Sequence, residues 1–239
     1  MVYIPSPFFN ERQTSIDILM FHCSAQNTAE MIDTLNQLEL SCHYIIDLDG
    51  SVTQLVSEEK RAWHGGEGYW RGIDSDINSH SIGIELCSPS LGQKPYPQPQ
   101  INSLINLSHD IIQRYHIAPQ NIIGHSDSAP TRKADPGKSF PWKFMADNGI
   151  GLWYDLSKAA DAPTDNLREL LSGIGYDTRT QQAYHASQYA FARRYIPELV
   201  TSISDIHYLV ENVFPTEIDF SADERFILTA QAVYMRFQA

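Results

Sequence analysis

Apolar positions fall into short runs that switch between two periods. Residues 16–21, IDILMF, form a brief apolar run rich in strand formers, and the run stops at His22. Residues 28–38 change to helical spacing, with Met31, Ile32, Leu35 and Leu38 on one face and Thr28 in position to cap it. HYIIDL (43–48) and SVTQLV (51–56) flank Asp49-Gly50, which predicts a β-hairpin with a tight turn. A polar loop runs from Trp63 to Asn78. SIGIEL (81–86) follows and reads as a buried strand carrying one carboxylate, Glu85. After the loop KPYPQP (94–99), residues 101–115 place Leu104, Ile105, Ile111, Ile112 and Tyr115 on one helical face. NII (121–123) predicts a last strand, and residues 141–147 a short closing helix with Pro141 at its first position. Strand, helix, hairpin, strand, helix, strand is the order of an α/β domain with a mixed central sheet flanked by helices.

The pattern changes after residue 154. DLSKAADAPTD (155–165) is small and polar, the composition of a linker. Beyond it the spacing is purely helical. Leu167, Leu170, Leu171 and Ile174 form one stripe, closed by Gly175. Ala183, Ser187, Ala190, Phe191 and Tyr195 form a second, ending before Pro197. Ser221-Ala222-Asp223-Glu224 reads as a capping box that launches Phe226, Ala230, Val233, Tyr234 and Phe237. The expected organisation is a domain at 1–154, a linker at 155–165 and a small three-helix domain at 166–239. Leu199, Ile203, Ile206, Val210 and Val213 predict one further helix within 198–220.

Composition narrows the function classes. The chain has 239 residues, 42% hydrophobic and 19% charged, enough for a real core and unlike a disordered protein. A net charge of −12 without a Lys/Arg run argues against nucleic acid and anionic membranes as partners. No run approaches the ~18 apolar residues of a membrane span. Cys23, Cys42 and Cys87 are too few and scattered for a disulfide framework, and read as core thiols of a reducing compartment. MVYIPSPFFNERQ shows no secretory leader, so the expected location is cytoplasmic, with the cell envelope as the alternative if a leader was trimmed.

Candidate chemistry concentrates in GHSDSAPTRKADPG (124–137). This turn-rich loop carries His125, Asp127, Lys133 and Asp135 at the exit of a buried strand. Catalytic zinc takes three protein ligands, usually His and carboxylate, and keeps a position for water. His22, His125 and Asp135 fit that need. Glu85, costly inside a strand unless it has a partner or a task, could shuttle a proton, and Lys133 could stabilise an oxyanion. Taken alone these residues leave bland alternatives open. His22 and His125 can be structural, Glu85 can pair with an arginine, Asp135 can start a turn, and Lys133 can be solvated.

The motifs in order, FHCSA (21–25), HYIID (43–47) then DG, AWHGG (62–66), SIGIEL and GHSDSAPTRKADPG, resemble the zinc-dependent N-acetylmuramoyl-L-alanine amidases of the second amidase family. That AmpD/AmiD-like group shares a fold with T7 lysozyme and peptidoglycan-recognition proteins. The resemblance covers roughly residues 16–142. It implies one Zn2+ per chain held by His22, His125 and Asp135. Glu85 then corresponds to the general base, Lys133 to the oxyanion-stabilising cation, and Tyr44 and His64 to positions lining the substrate groove. It implies hydrolysis of the amide between N-acetylmuramic acid, or its anhydro form, and L-alanine, with peptidoglycan or muropeptide as the partner. The rival is a non-catalytic peptidoglycan-binding protein on the same fold. LRELLSGIGY (167–176) and FARRYIP (191–197) resemble the three-helix peptidoglycan-binding domain of AmiD-type amidases. Residues 198–220 depart from that pattern. Asp127 is left to brace the loop or orient His125.

Overall fold

The structure, a computed structural model, describes residues 1–201 and 219–239. The helix expected within 198–220 falls for the most part outside the described residues. In chain order the strands are β1 (Val2–Tyr3), β2 (Phe9–Glu11), β3 (Ile18–Ser24), β4 (Tyr44–Ile46), β5 (Val52–Gln54), β6 (Lys60–Ala62), β7 (Tyr69–Trp70), β8 (Ile73–Asp74), β9 (Ser81–Cys87) and β10 (Ile122–Gly124). The helices are α1 (Thr28–Gln37), α2 (Ile77–His80), α3 (Gln98–Tyr115), α4 (His125–Ser128), α5 (Trp142–Asp147), α6 (Leu167–Ile174), α7 (Gln181–Tyr195) and α8 (Glu224–Gln238). Both central strands, β3 and β9, are seven-residue apolar runs buried on both faces, as parallel strands under helices must be.

The main sheet has the order β1-β5-β4-β9-β3-β10. The β4–β5 hairpin is antiparallel, and the pairs β4–β9, β9–β3 and β3–β10 are parallel, so the sheet is mixed. Register decides which side chains meet. His22 lies opposite Glu85, and Glu85 opposite Ile45, in one row across three strands. Strands lie ~4.8 Å apart, so His22 and Glu85 are neighbours on one face.

The two faces have different covers. Leu19, Phe21, Ile82, Ile84 and Leu86 face α3 through Leu104 and Ile111. Ile18 and Met20, on the His22 face, share a cluster with Trp70, Ile77, Ile123 and the apolar stripes of α6, α7 and α8. Each such fully buried aliphatic contributes about 1.5–3 kcal/mol. One packed cluster therefore runs across the boundary at 155–165, where the chain makes a 3₁₀ turn at Leu156–Asp161 and buries Ala159. Among the described residues no helix is long and apolar enough to cross a membrane.

Several helix starts differ from expectation because a better oxygen lies nearby. Asn27, not Thr28, caps α1 in a reciprocal box with Glu30. The Thr28 hydroxyl instead donates to Asp47 Oδ2 at 2.6 Å. Asp223, not Ser221, caps α8, accepting from the Phe226 N–H at 2.9 Å. Pro141 sits just before the first residue of α5. The polar loop 63–78 contains the small β7–β8 hairpin, which apolar periodicity does not reveal in two-residue strands. Cys23, Cys42 and Cys87 form no disulfide, and Cys23 is only half-buried.

Candidate metal centre

The loop 124–137 and the exit of β3 converge on one point. His22 Nδ1 lies 3.0 Å from His125 Nδ1 and 3.1 Å from Asp135 Oδ2, and His125 Nδ1 lies 3.2 Å from the same oxygen. All three residues are buried. Among the described residues this is the one group of three His, Cys, Asp or Glu donors this close together.

Outer hydrogen bonds fix the two imidazole tautomers. His125 Nε2–H donates to the Gly65 carbonyl at 2.9 Å, which leaves Nδ1 bare. His22 is fixed through a longer chain. The Ser81 hydroxyl donates to the Ile77 carbonyl at 2.7 Å, so its oxygen accepts from His64 Nε2–H at 3.3 Å. His64 Nδ1 is then an acceptor for His22 Nε2–H at 3.0 Å, and His22 Nδ1 is bare as well. Three lone-pair atoms thus face one another with no hydrogen between them. That arrangement is unfavourable without a cation. Zinc with bonds of ~2.0–2.1 Å in tetrahedral geometry needs ligand atoms about 3.3 Å apart, close to the separations found.

Electrostatics agree with that donor set. Burial pulls the His22 imidazole down to about 4, His125 adds to the effect, and Asp135 opposes it. Burial would raise the Asp135 carboxyl, but His125 and His22 hold it well below the usual carboxylate range. A neutral histidine and an ionised aspartate are the forms that bind metal.

Glu85 and Lys133 border the same cavity of about 240 Å³ with His22, His125 and Asp135. Part of the Glu85 side chain reaches the cavity, while its Oε2 is sealed and has no hydrogen-bond partner among the described residues. Burial, then Asp135, push this carboxyl up to about 8, and Lys133 opposes them. A larger hollow of about 560 Å³, bordered by Trp153, Tyr154, Lys158 and Arg236, carries no comparable donor set.

A profile of the N-acetylmuramoyl-L-alanine amidases, the Amidase_2 family, matches residues 12–138. The chain belongs to this family. It is 37% identical over 217 residues to the N-acetylmuramoyl-L-alanine amidase AmiD of Escherichia coli K12, covering 80% of this chain and 78% of that protein. The solved complex of E. coli AmiD with anhydro-N-acetylmuramic acid-L-Ala-D-gamma-Glu-L-Lys is similar with a TM-score of 0.73 at 30% identity, over 95% of this chain and 97% of that one. AmpDh3 of Pseudomonas aeruginosa gives a TM-score of 0.76 at 27% identity, over 99% and 96%.

Within this amidase fold one expected groove residue is corrected. Tyr44 does not line the cavity. It sits one residue out of phase with Ile45, so its side chain points to the opposite face of the sheet. There it is buried, and its hydroxyl donates to Glu58 Oε1 at 2.7 Å. Tyr115 and Arg114 bond the same carboxylate, which makes a structural knot under α3. His64 does border the cavity, but its ring nitrogens are engaged by His22 and Ser81, so it orients the His22 ring. Gly83 is what admits that ring, since a Cβ there would lie 2.4 Å from His64 Nδ1.

Sequence reading missed the supports. Asn78 Oδ1 accepts from the backbone N–H groups of His64, Gly65 and Gly66, and so shapes the AWHGG turn. Arg12 donates to the carbonyls of Ser79, Lys60 and Ser81 and ties the N-terminal segment to β9. Neither shows in local spacing, because each acts across a long stretch of chain. Asp127, assigned to bracing, does not touch the His125 ring. Its Oδ2 accepts from the Gly124 N–H at 2.9 Å, at the entry to α4.

Proposed function

We propose that this protein is a zinc-dependent hydrolase of the amide bond between N-acetylmuramic acid, or its anhydro form, and L-alanine in peptidoglycan or muropeptides. One observation carries the proposal. The His22 Nδ1, His125 Nδ1 and Asp135 Oδ2 atoms converge beside a Glu85 carboxyl whose Oε2 has no hydrogen-bond partner among the described residues, in a chain of the amidase family. A non-catalytic binding protein on this fold has no use for both a complete donor set and a desolvated acid.

Zinc held by these three residues would polarise the scissile carbonyl and make water acidic enough to attack it near neutral pH. Glu85 accepts the proton of the attacking water and passes it to the leaving L-alanine nitrogen. Burial raises its basicity, and a desolvated carboxylate is a better base than a solvated one, which suits both transfers. Lys133 offsets the negative charge that develops on the carbonyl oxygen. His64, Ser81 and the Gly65 carbonyl hold the two imidazoles in ligating tautomers.

Lys133 has a second effect with a definite sign. Its charge lowers the pKa of Glu85, so its removal raises it. Turnover needs ionised Glu85 and falls as pH drops through that pKa. Lys133→Met is therefore expected to lose about 10²–10³-fold in kcat and to shift the acid limb of the kcat/KM profile to higher pH. A pH series on wild type and variant measures both. An unmoved acid limb would contradict the coupling.

The proposal is tested by incubating zinc-loaded protein with anhydro-N-acetylmuramyl-L-Ala-D-Glu peptide and identifying products by mass spectrometry. Free anhydro-sugar acid plus a peptide with a new L-alanine amino terminus is expected. Zinc-bound protein that leaves the substrate intact would sink the substrate assignment.

A further inference from the structure

We infer that the C-terminal helices form part of the metal centre's support, with Arg194 of α7 and Tyr176 after α6 as positioning residues that hold the His125 strand in place. The inference rests on the proposed zinc site and adds residues that no sequence motif connects to it.

Among the described residues β10 is an edge strand, paired on one side to β3. Its outer side is closed by side chains. Arg194 Nη2 donates to the Ile122 carbonyl at 3.1 Å, and Arg194 Nη1 donates to Asp127 Oδ2 at 2.7 Å. The same Asp127 oxygen accepts from the Gly124 N–H, and Oδ1 accepts from the Tyr176 hydroxyl at 2.7 Å. The first residue of this strand is thus held directly from α7, and its last, one residue before His125, through Asp127. Asp127 and Arg194 are almost fully buried, and the guanidinium lies 4.0 Å from the centre of the Trp142 ring. The ion pair is dry, directional and enclosed, so small displacements of α7 are carried to β10. Ser126 N–H in turn bonds the Asp135 carbonyl at 3.0 Å, which links the gripped turn to the third donor. Metal sites depend on such outer contacts, whose loss typically weakens binding 10–100-fold.

Two variants loosen the grip gently. Tyr176→Phe removes one hydroxyl and keeps the ring against Trp70 and Phe191. Arg194→Lys keeps the charge on Asp127 but gives up the two-pronged hold on Ile122 and Asp127. Arg71→Met is the control. Arg71 donates to the Ile174 carbonyl and so joins the same helices to the β7–β8 hairpin without touching Asp127. Zinc dissociation constants are measured on the folded full-length proteins by competition with a chromophoric chelator. About tenfold weaker binding is expected for Tyr176→Phe and Arg194→Lys, with Arg71→Met within twofold of wild type. If Arg194→Lys does not fold, Tyr176→Phe decides alone. Wild-type affinity in the clamp variants, or equal loss in the Arg71→Met control, overturns the inference while the zinc site stands. A wild type that binds no zinc overturns both.

Discussion

Glu85→Gln is expected to cut kcat by about 10²–10⁴-fold and to leave one zinc per chain. Gln has the shape of Glu, and Glu85 lies outside the trio of donor atoms that meet within 3.0–3.2 Å. What the substitution removes is a site that can accept and return a proton. Zinc content by mass spectrometry and turnover on a muropeptide separate the two properties. Near-wild-type turnover would show that another group moves the proton. The same variant has a second signature in the metal-free protein. There the folded pKa of Glu85, about 8, lies above the ordinary 4.5. The folded chain keeps a proton that the unfolded chain releases, so this group's contribution is full below about pH 4.5 and is lost as pH rises through about 8. Glu85→Gln carries no such loss. Its melting temperature, measured with chelator, should gain on wild type between pH 5 and pH 8.5 by about ten degrees, corresponding to roughly 4 kcal/mol. A gap independent of pH would mean that Glu85 is not desolvated in solution.

His22→Ala is the second large effect. Zinc sites bind with roughly 10–16 kcal/mol over four ligands, so one donor is worth about 3–4 kcal/mol, or 10²–10³-fold in affinity. Activity should fall to background at micromolar zinc. The gain in melting temperature that zinc gives wild type should shrink with it, because that gain scales with the logarithm of ligand over Kd. Full zinc affinity in this variant would remove His22 from the site. His64→Ala should behave differently: the imidazole of His22 stays, and only its tautomer and angle are released, so the loss is smaller and partly recovered by excess zinc.

Much of this candidate site was legible in the sequence because the polar residues that meet there contradict their surroundings. A histidine closing an apolar run, a glutamate inside SIGIEL and a histidine closing NII stand out against strand patterning. The sheet pairs the first two in register, as buried parallel strands of matching length allow. Tyr44 failed for a related reason. In a strand one residue decides the face, and a motif position alone does not fix the phase. The helix caps moved by one or two residues because several Asn, Asp, Ser and Thr side chains compete at each start. The largest gap concerned organisation. A polar stretch at 155–165 reads as a linker, yet apolar faces on its two sides pack into one cluster, and a buried Arg194–Asp127 pair joins them. Local composition carries no information about such long-range closure.

The central claim is that His22, His125 and Asp135 hold one zinc ion. Crystals of protein purified with zinc, measured on both sides of the zinc absorption edge, test it directly. A single anomalous peak is expected about 2.0–2.2 Å from His22 Nδ1, His125 Nδ1 and Asp135 Oδ2. No peak there, or coordination through the Nε2 atoms that bond His64 and Gly65, would contradict it.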